Sequence, residues 1–193
     1  MASGFAAENA ALNQYWYSSA TIEALNAGAL ELAARGGGGG GGGRVAFLST
    51  PSLYFGLPAD RREGHALLDI DAQWQSDPGF VRFDFNEGAA GLPAAARGAF
   101  DVVVIDPPFI TEAVWRRYAE AALALLRGAG NSGGHVICTT VAENEALLAG
   151  LFPGCAALPF QPSIPHLVYQ YNTFSTARPP PASLAGKNPE IPE

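Results

Sequence analysis

Basic residues are scarce in this chain: 11 Lys and Arg stand against 18 Asp and Glu, giving a net charge of −7 over 193 residues. Proteins that grip a nucleic-acid backbone neutralise its phosphates with lysine and arginine. Stable autonomous binding to DNA or RNA is therefore not expected, and a basic protein partner suits this balance better. Cysteine is scarce too. Two residues, Cys138 and Cys155, do not make a disulfide scaffold and point to a reducing compartment, the cytoplasm. No run of 18 apolar residues occurs, so no membrane association is expected. The first residues, MASGFAAENAALNQ, lack a basic region followed by an apolar core and do not read as a signal peptide. His65, His135 and His166 are scattered without metal-ligand spacing, and no metal is expected. The first strand leads into STPSLYFG where a nicotinamide or flavin site would carry GxGxxG. The pyrophosphate cradle is missing, which points to a nucleoside ligand without phosphates.

What is present suffices for one domain, with 48% hydrophobic residues. Ile22, Leu25, Ala29 and Leu32 recur at helical spacing in an amphipathic helix over 19–34, which Ser18 or Ser19 caps. The glycine run at 36–43 has no core-forming side chain and reads as a flexible surface connection. Strands are expected over 44–50, 66–71, 81–85, 100–106, 133–140, 156–160 and 167–174, with helices over 110–126 and 141–152. The continuous apolar strands near 45, 102 and 136 imply an open α/β sheet covered on both faces. Residues 177–193 hold five prolines and no packing pattern, and are expected to be disordered.

Ligands of open α/β sheets bind beyond the carboxyl ends of the strands. Three successive strand ends here carry acids: Asp69 and Asp71, then Asp84, then Asp106. An acid after the second strand can accept hydrogen bonds from ribose hydroxyls. Asp69 fits that position best, and strand alternation puts Asp71 on the same side as the fallback. Asp84 can meet a purine amino group. The fourth strand runs into Asp106-Pro107-Pro108-Phe109, a turn made rigid by two fixed φ angles. The acceptor-only Asp106 carboxylate and the Pro107 carbonyl can hold the N–H groups of an amine or amide, with Phe109 packed on the same group. Such a site suits attack by nitrogen on an electrophilic carbon, with orientation as the main contribution. The same residues also fit a plainer role, a strand end and helix N-terminus with Thr111 or Asp106 as cap.

Taken together, QYWYS (14–18), RVAFLSTPSLY (44–54), DID (69–71), FDFN (83–86), FDVVVIDPPF (100–109) and LVYQYNTF (167–174) resemble the eukaryotic elongation factor 1A lysine methyltransferase 1 family. That family was formerly described as N6-adenine-specific DNA methyltransferases, and the similarity runs over about 11–175. The resemblance implies a class I S-adenosylmethionine-dependent, Rossmann-like fold. Its sheet has seven strands, mostly parallel with the last antiparallel, and helices on both faces. It further implies S-adenosyl-L-methionine as cofactor and a lysine of translation elongation factor 1A as acceptor. Cofactor contacts fall on Ser49, Thr50 and Pro51 in a degenerate first loop, and on Asp69, Asp71, Asp84 and Asp106. An aromatic segment closing over the cofactor adds Gln14, Trp16, Tyr17 and Ser18. Catalysis falls on Asp106, Pro107, Pro108 and Phe109. The implied organisation is a closing segment at 1–18, a methyltransferase domain at 19–175 and a tail at 176–193, in a monomer. The family's basic run after the second strand is absent here, where DIDAQW keeps only the aromatic Trp74. N6-adenine methylation remains open, since the same turn suits that nitrogen equally, and so does a non-catalytic scaffold. His166, just before the last strand, lies near the substrate mouth or serves as a surface or cap residue.

Overall fold

Branched and aromatic runs form seven strands in the computed structural model, which describes residues 8–36, 42–128 and 134–192. The strands are β1 (Val45–Leu48), β2 (Ala66–Asp69), β3 (Phe80–Arg82), β4 (Val102–Ile105), β5 (His135–Thr140), β6 (Ala156–Ala157) and β7 (Asn172–Ser175). They form one sheet in the order β3-β2-β1-β4-β5-β7-β6. The first five pair in parallel, and β7 runs antiparallel between β5 and β6. The seven-stranded, mostly parallel class I sheet with an antiparallel last strand is thus present.

Strand alternation divides two cores. Val102 and Val104 face α1 (Ser19–Gly36) and α2 (Pro51–Gly56), while Val103 and Ile105 face α3 (Glu112–Leu125) and α4 (Glu145–Leu151). All four β4 side chains are buried, because a central strand covered on both faces has no wet side. Because β1, β2, β4 and β5 all run parallel, their carboxyl ends lie along one rim of the sheet.

Several elements differ from expectation. Residues after β1 form α2, because Pro51 sits in its first turn with φ already set for a helix. The expected helix over 141–152 begins as a 3-10 turn, Ala142–Asn144, before α4. The last two strands are short. Residues 167–171 form no strand, and Leu167 N–H instead closes a turn onto the Ile164 carbonyl at 3.0 Å. Most of the glycine run, 37–41, lies outside the described residues.

The expected disorder of residues 177–193 is corrected by the structure. Ala177 and Leu184 are fully buried, and Asn188 nearly so. Glu31 accepts from Ala182 N–H at 2.9 Å, Ser183 Oγ donates to the Ala24 carbonyl at 2.8 Å, and Asn188 Nδ2 donates to the Gln161 carbonyl at 2.8 Å. The prolines did not prevent packing. They stiffen a strap that lies along α1, where Gly28 leaves room for Leu184.

Candidate functional site

Asp106 follows β4, and its backbone N–H still reaches the Leu48 carbonyl at 3.4 Å. The two prolines then turn the chain out of the sheet. Asn144 Nδ2 pins the turn's far side, donating to the Ile110 carbonyl at 2.9 Å and to Thr140 Oγ1 at 3.0 Å. Above this rim lies a cleft. Ser49, Thr50, Pro51, Asp69, Asp84, Asp106, Pro107, Pro108 and Phe109 all line it. So do Gln14, Trp16 and Tyr17 from the N-terminal segment.

That segment crosses the rim as a strap. Asn13 Nδ2 donates to the Pro108 carbonyl. Gln14 Nε2 donates to Asp71 Oδ2 at 3.2 Å, while Gln14 Oε1 is buried without a partner. Tyr17 reaches deepest. Its hydroxyl donates to Asp106 Oδ2 at 2.6 Å and lies 2.6 Å from Thr139 Oγ1. A phenol has one proton, so Thr139 must be the donor in the second bond. A relay therefore runs from Thr139 through Tyr17 to Asp106.

Burial pushes the Asp106 carboxyl up to about 7, with the bonds from Tyr17 and Thr139 pulling it back down. Burial likewise raises Asp69 to about 6, against the pull of the Asp71 N–H, which donates to Asp69 Oδ1 at 2.8 Å. The Tyr17 hydroxyl is held well above its ordinary range by burial first and then by the Asp106 charge. Burial raises the Tyr118 hydroxyl, the bond to Ser49 opposes that rise, and the charges of Asp69, Asp106 and Asp84 add to it. That hydroxyl bonds Ser49 Oγ at 2.7 Å. Ser49 sits at φ 57°, left-handed backbone that a non-glycine residue adopts at a cost of about 1 kcal/mol or more. The strain turns the loop after β1 toward the cleft and leaves Thr50 Oγ1 buried there without a partner.

Two expected residues stay outside the cleft lining. Ser18 caps α1, where its Oγ accepts from Thr21 N–H at 3.2 Å. Asp71 caps the turn at Ala72–Trp74 through Gln73 N–H at 3.0 Å and anchors Gln14. His166 pairs with Glu8 at 2.7 Å and is largely exposed. Sequence reasoning missed Thr139, Tyr118, Tyr171 and Asn13. Thr139 stands near the carboxyl end of β5, so the strand-end rule had a signal for it. Tyr118 had none, because its place on α3 looks like ordinary core.

Among the described residues, the cleft's charged lining residues are Asp69, Asp84 and Asp106, and no lysine, arginine or histidine lines it. This donor set suits a cation and a nucleoside with free hydroxyl and amino groups, and not a phosphate-bearing ligand. Among the described residues, no group of three or more His, Cys, Asp or Glu is placed to hold a metal ion.

Residues 8–178 match a family model described as probable N6-adenine methyltransferase. The chain is 33% identical to EEF1A lysine methyltransferase 1 of Homo sapiens over 128 residues, covering 65% of this chain and 57% of that protein. It is 32% identical to the Bos taurus protein of the same name, covering 65% and 54%. The chain thus spans just over half the length of these relatives. Among solved structures, the E. cuniculi Mtq2-Trm112 complex is similar at 17% identity and a TM-score of 0.48, covering 83% of this chain and 96% of that one.

Proposed function

The chain belongs to the family described as probable N6-adenine methyltransferase and is related to the EEF1A lysine methyltransferase 1 proteins, and on that premise we propose that it methylates a lysine of translation elongation factor 1A. The proposed methyl donor is S-adenosyl-L-methionine. The observation that carries this reading is a half-buried Asp106 in a cleft whose charged residues, among those described, are all acids.

The lining fits that cofactor. Thr50 Oγ1 and Gln14 Oε1 are orphaned polar atoms in or beside the cleft. Asp69 would accept from the ribose hydroxyls, Asp84 from the adenine amino group, and Ser49, Thr50 and Pro51 would flank the amino-acid end. Gln14, Trp16 and Tyr17 would close over it. When bound, the cofactor supplies a methyl group on a positively charged sulfur, already activated toward a nucleophile.

The chain's own residues handle the acceptor. A lysine ammonium titrates near about 10.4 and must lose a proton before its nitrogen can attack. Burial in an aromatic-walled cleft favours that loss, whereas a carboxylate alone opposes it. Asp106 therefore orients the amine, accepting an N–H while Tyr17 occupies its other oxygen. The Pro107 carbonyl is the second acceptor, and Pro108 keeps the turn rigid. Phe109 stands edge-on to Phe85, ring centroids 6.4 Å apart, at the cleft's outer wall. Its ring face favours the cationic ammonium product.

Adenine N6 in nucleic acid is the second reading, favoured by the family's description. The absence of a basic lining residue among those described counts against it, because the flanking phosphates would find no partner there. We also propose a cytoplasmic location, supported by two free, buried cysteines, and a monomeric enzyme. The test uses recombinant protein, labelled methyl donor and elongation factor 1A with single lysines changed to arginine. Label that vanishes with one of these changes supports the proposal, and no label on the protein refutes it.

A further inference from the structure

Six large apolar side chains are exposed among the described residues: Tyr15, Ile70, Phe109, Leu123, Val168 and Tyr169. Five of them belong to one place. Tyr15, Ile70 and Phe109 line the cleft, and Val168 and Tyr169 stand in the loop at 164–171, whose Ile164, Leu167 and Tyr171 line it too. The loop turns three side chains inward and holds Val168 at 87% and Tyr169 at 65% exposure. Soluble proteins rarely leave apolar groups clustered this way without a partner.

The loop is also fixed in place. Gln170 Nε2 donates to the Pro162 carbonyl at 3.1 Å and to the Tyr171 carbonyl at 2.7 Å. His166 ties it to the strap through Glu8 at 2.7 Å. Side chains presented on a rigid loop lose little entropy on docking, so their contact area converts efficiently into affinity.

We propose that Val168 and Tyr169, on the loop whose Leu167 and Tyr171 line the cleft together with Tyr15 and Phe109, form the docking surface for the folded protein that carries the acceptor lysine. This inference rests on the proposed lysine methylation. The occupant is argued from charge: the cleft beneath carries only acids, so it attracts a cationic side chain, while the rim around it is apolar. A protein surface that projects a lysine from an apolar patch meets both demands. Nucleic acid meets neither, since its phosphates would approach the Asp106 carboxylate. Extended contact beyond the lysine is also what picks one protein lysine from many, because the cleft itself sees only the amine.

The test is steady-state transfer to folded elongation factor 1A by wild type, Val168→Ser, Tyr169→Ala and the double variant, with cofactor affinity measured in parallel. The expected result is a KM for the protein substrate raised roughly tenfold in the double variant, as for loss of an aromatic anchor. kcat and the cofactor Kd should stay within about twofold. Val168→Ser alone, at a site too exposed to unfold the chain, should move KM in the same direction. Unchanged KM in an active wild type overturns the docking surface and leaves the proposed function standing. A wild type that binds cofactor but transfers no methyl to this protein overturns the proposed function and the surface with it. Light scattering that finds a wild-type dimer, dissolved by the double variant at unchanged KM, assigns the patch to a contact between copies and also overturns it.

Discussion

In the proposed reaction Asp106 is the residue on which the chemistry turns, and its oxygens are shared between two tasks. Tyr17 takes Oδ2, and the amine needs an ionised acceptor beside it. With Asp106 raised to about 7, transfer should fall as pH drops through that region. Tyr17→Phe removes a bond that lowers this value, so the acid limb of the kcat/KM profile should move to higher pH, and Thr139→Val should move it the same way. The cofactor Kd should change little in either variant. A carboxyl whose folded value is raised costs stability wherever its unfolded form has ionised and its folded form has not. That cost is absent below the ordinary carboxylate range, grows from about pH 4 up to about 7 and is constant above that. Asp106→Asn should therefore abolish transfer while stabilising the protein at pH 8 by about 1–3 kcal/mol, a gain that vanishes below about pH 4. Denaturant titrations at the two pH values measure it. Asp69 and Asp71 separate in the same spirit. Asp69→Asn should weaken the cofactor by roughly tenfold in calorimetry, as for a lost charge-assisted bond, and Asp71→Asn by less.

At the scale of elements, the strand ends were legible and the segments that cross them were not. Apolar runs located β1, β4 and β5 because a strand buried on both faces needs every side chain apolar. The acids at 69, 84 and 106 then marked the rim by position alone. The strap could be named from its aromatics, but its bonds join residues 57 to 95 positions apart, and no local pattern encodes those. The tail failed for a related reason. Its prolines remove helix and strand as options, and its ordering comes from α1, through Gly28 and Thr21, far away in the chain. Leu184, fully buried there, tests this directly. Leu184→Ala should cost about 2–4 kcal/mol of unfolding free energy. A disordered tail would show no change.

For the whole molecule, charge and shape point the same way. The net charge of −7 repels polyanions, and the acidic cleft beside exposed apolar side chains suits the proposed acceptor, a cation presented by a protein surface. The fold supplies the rim, two cores hold it, the N-terminal strap crosses it and the tail packs along α1. The most direct measurement is a competition. Elongation factor 1A and an adenine-rich single-stranded oligonucleotide are mixed at equal concentration with the protein and labelled S-adenosyl-L-methionine, alongside an Asp106→Asn control. The account predicts label on the protein, none on the oligonucleotide and none in the control. Label on the oligonucleotide, or on neither while the cofactor still binds, would contradict it.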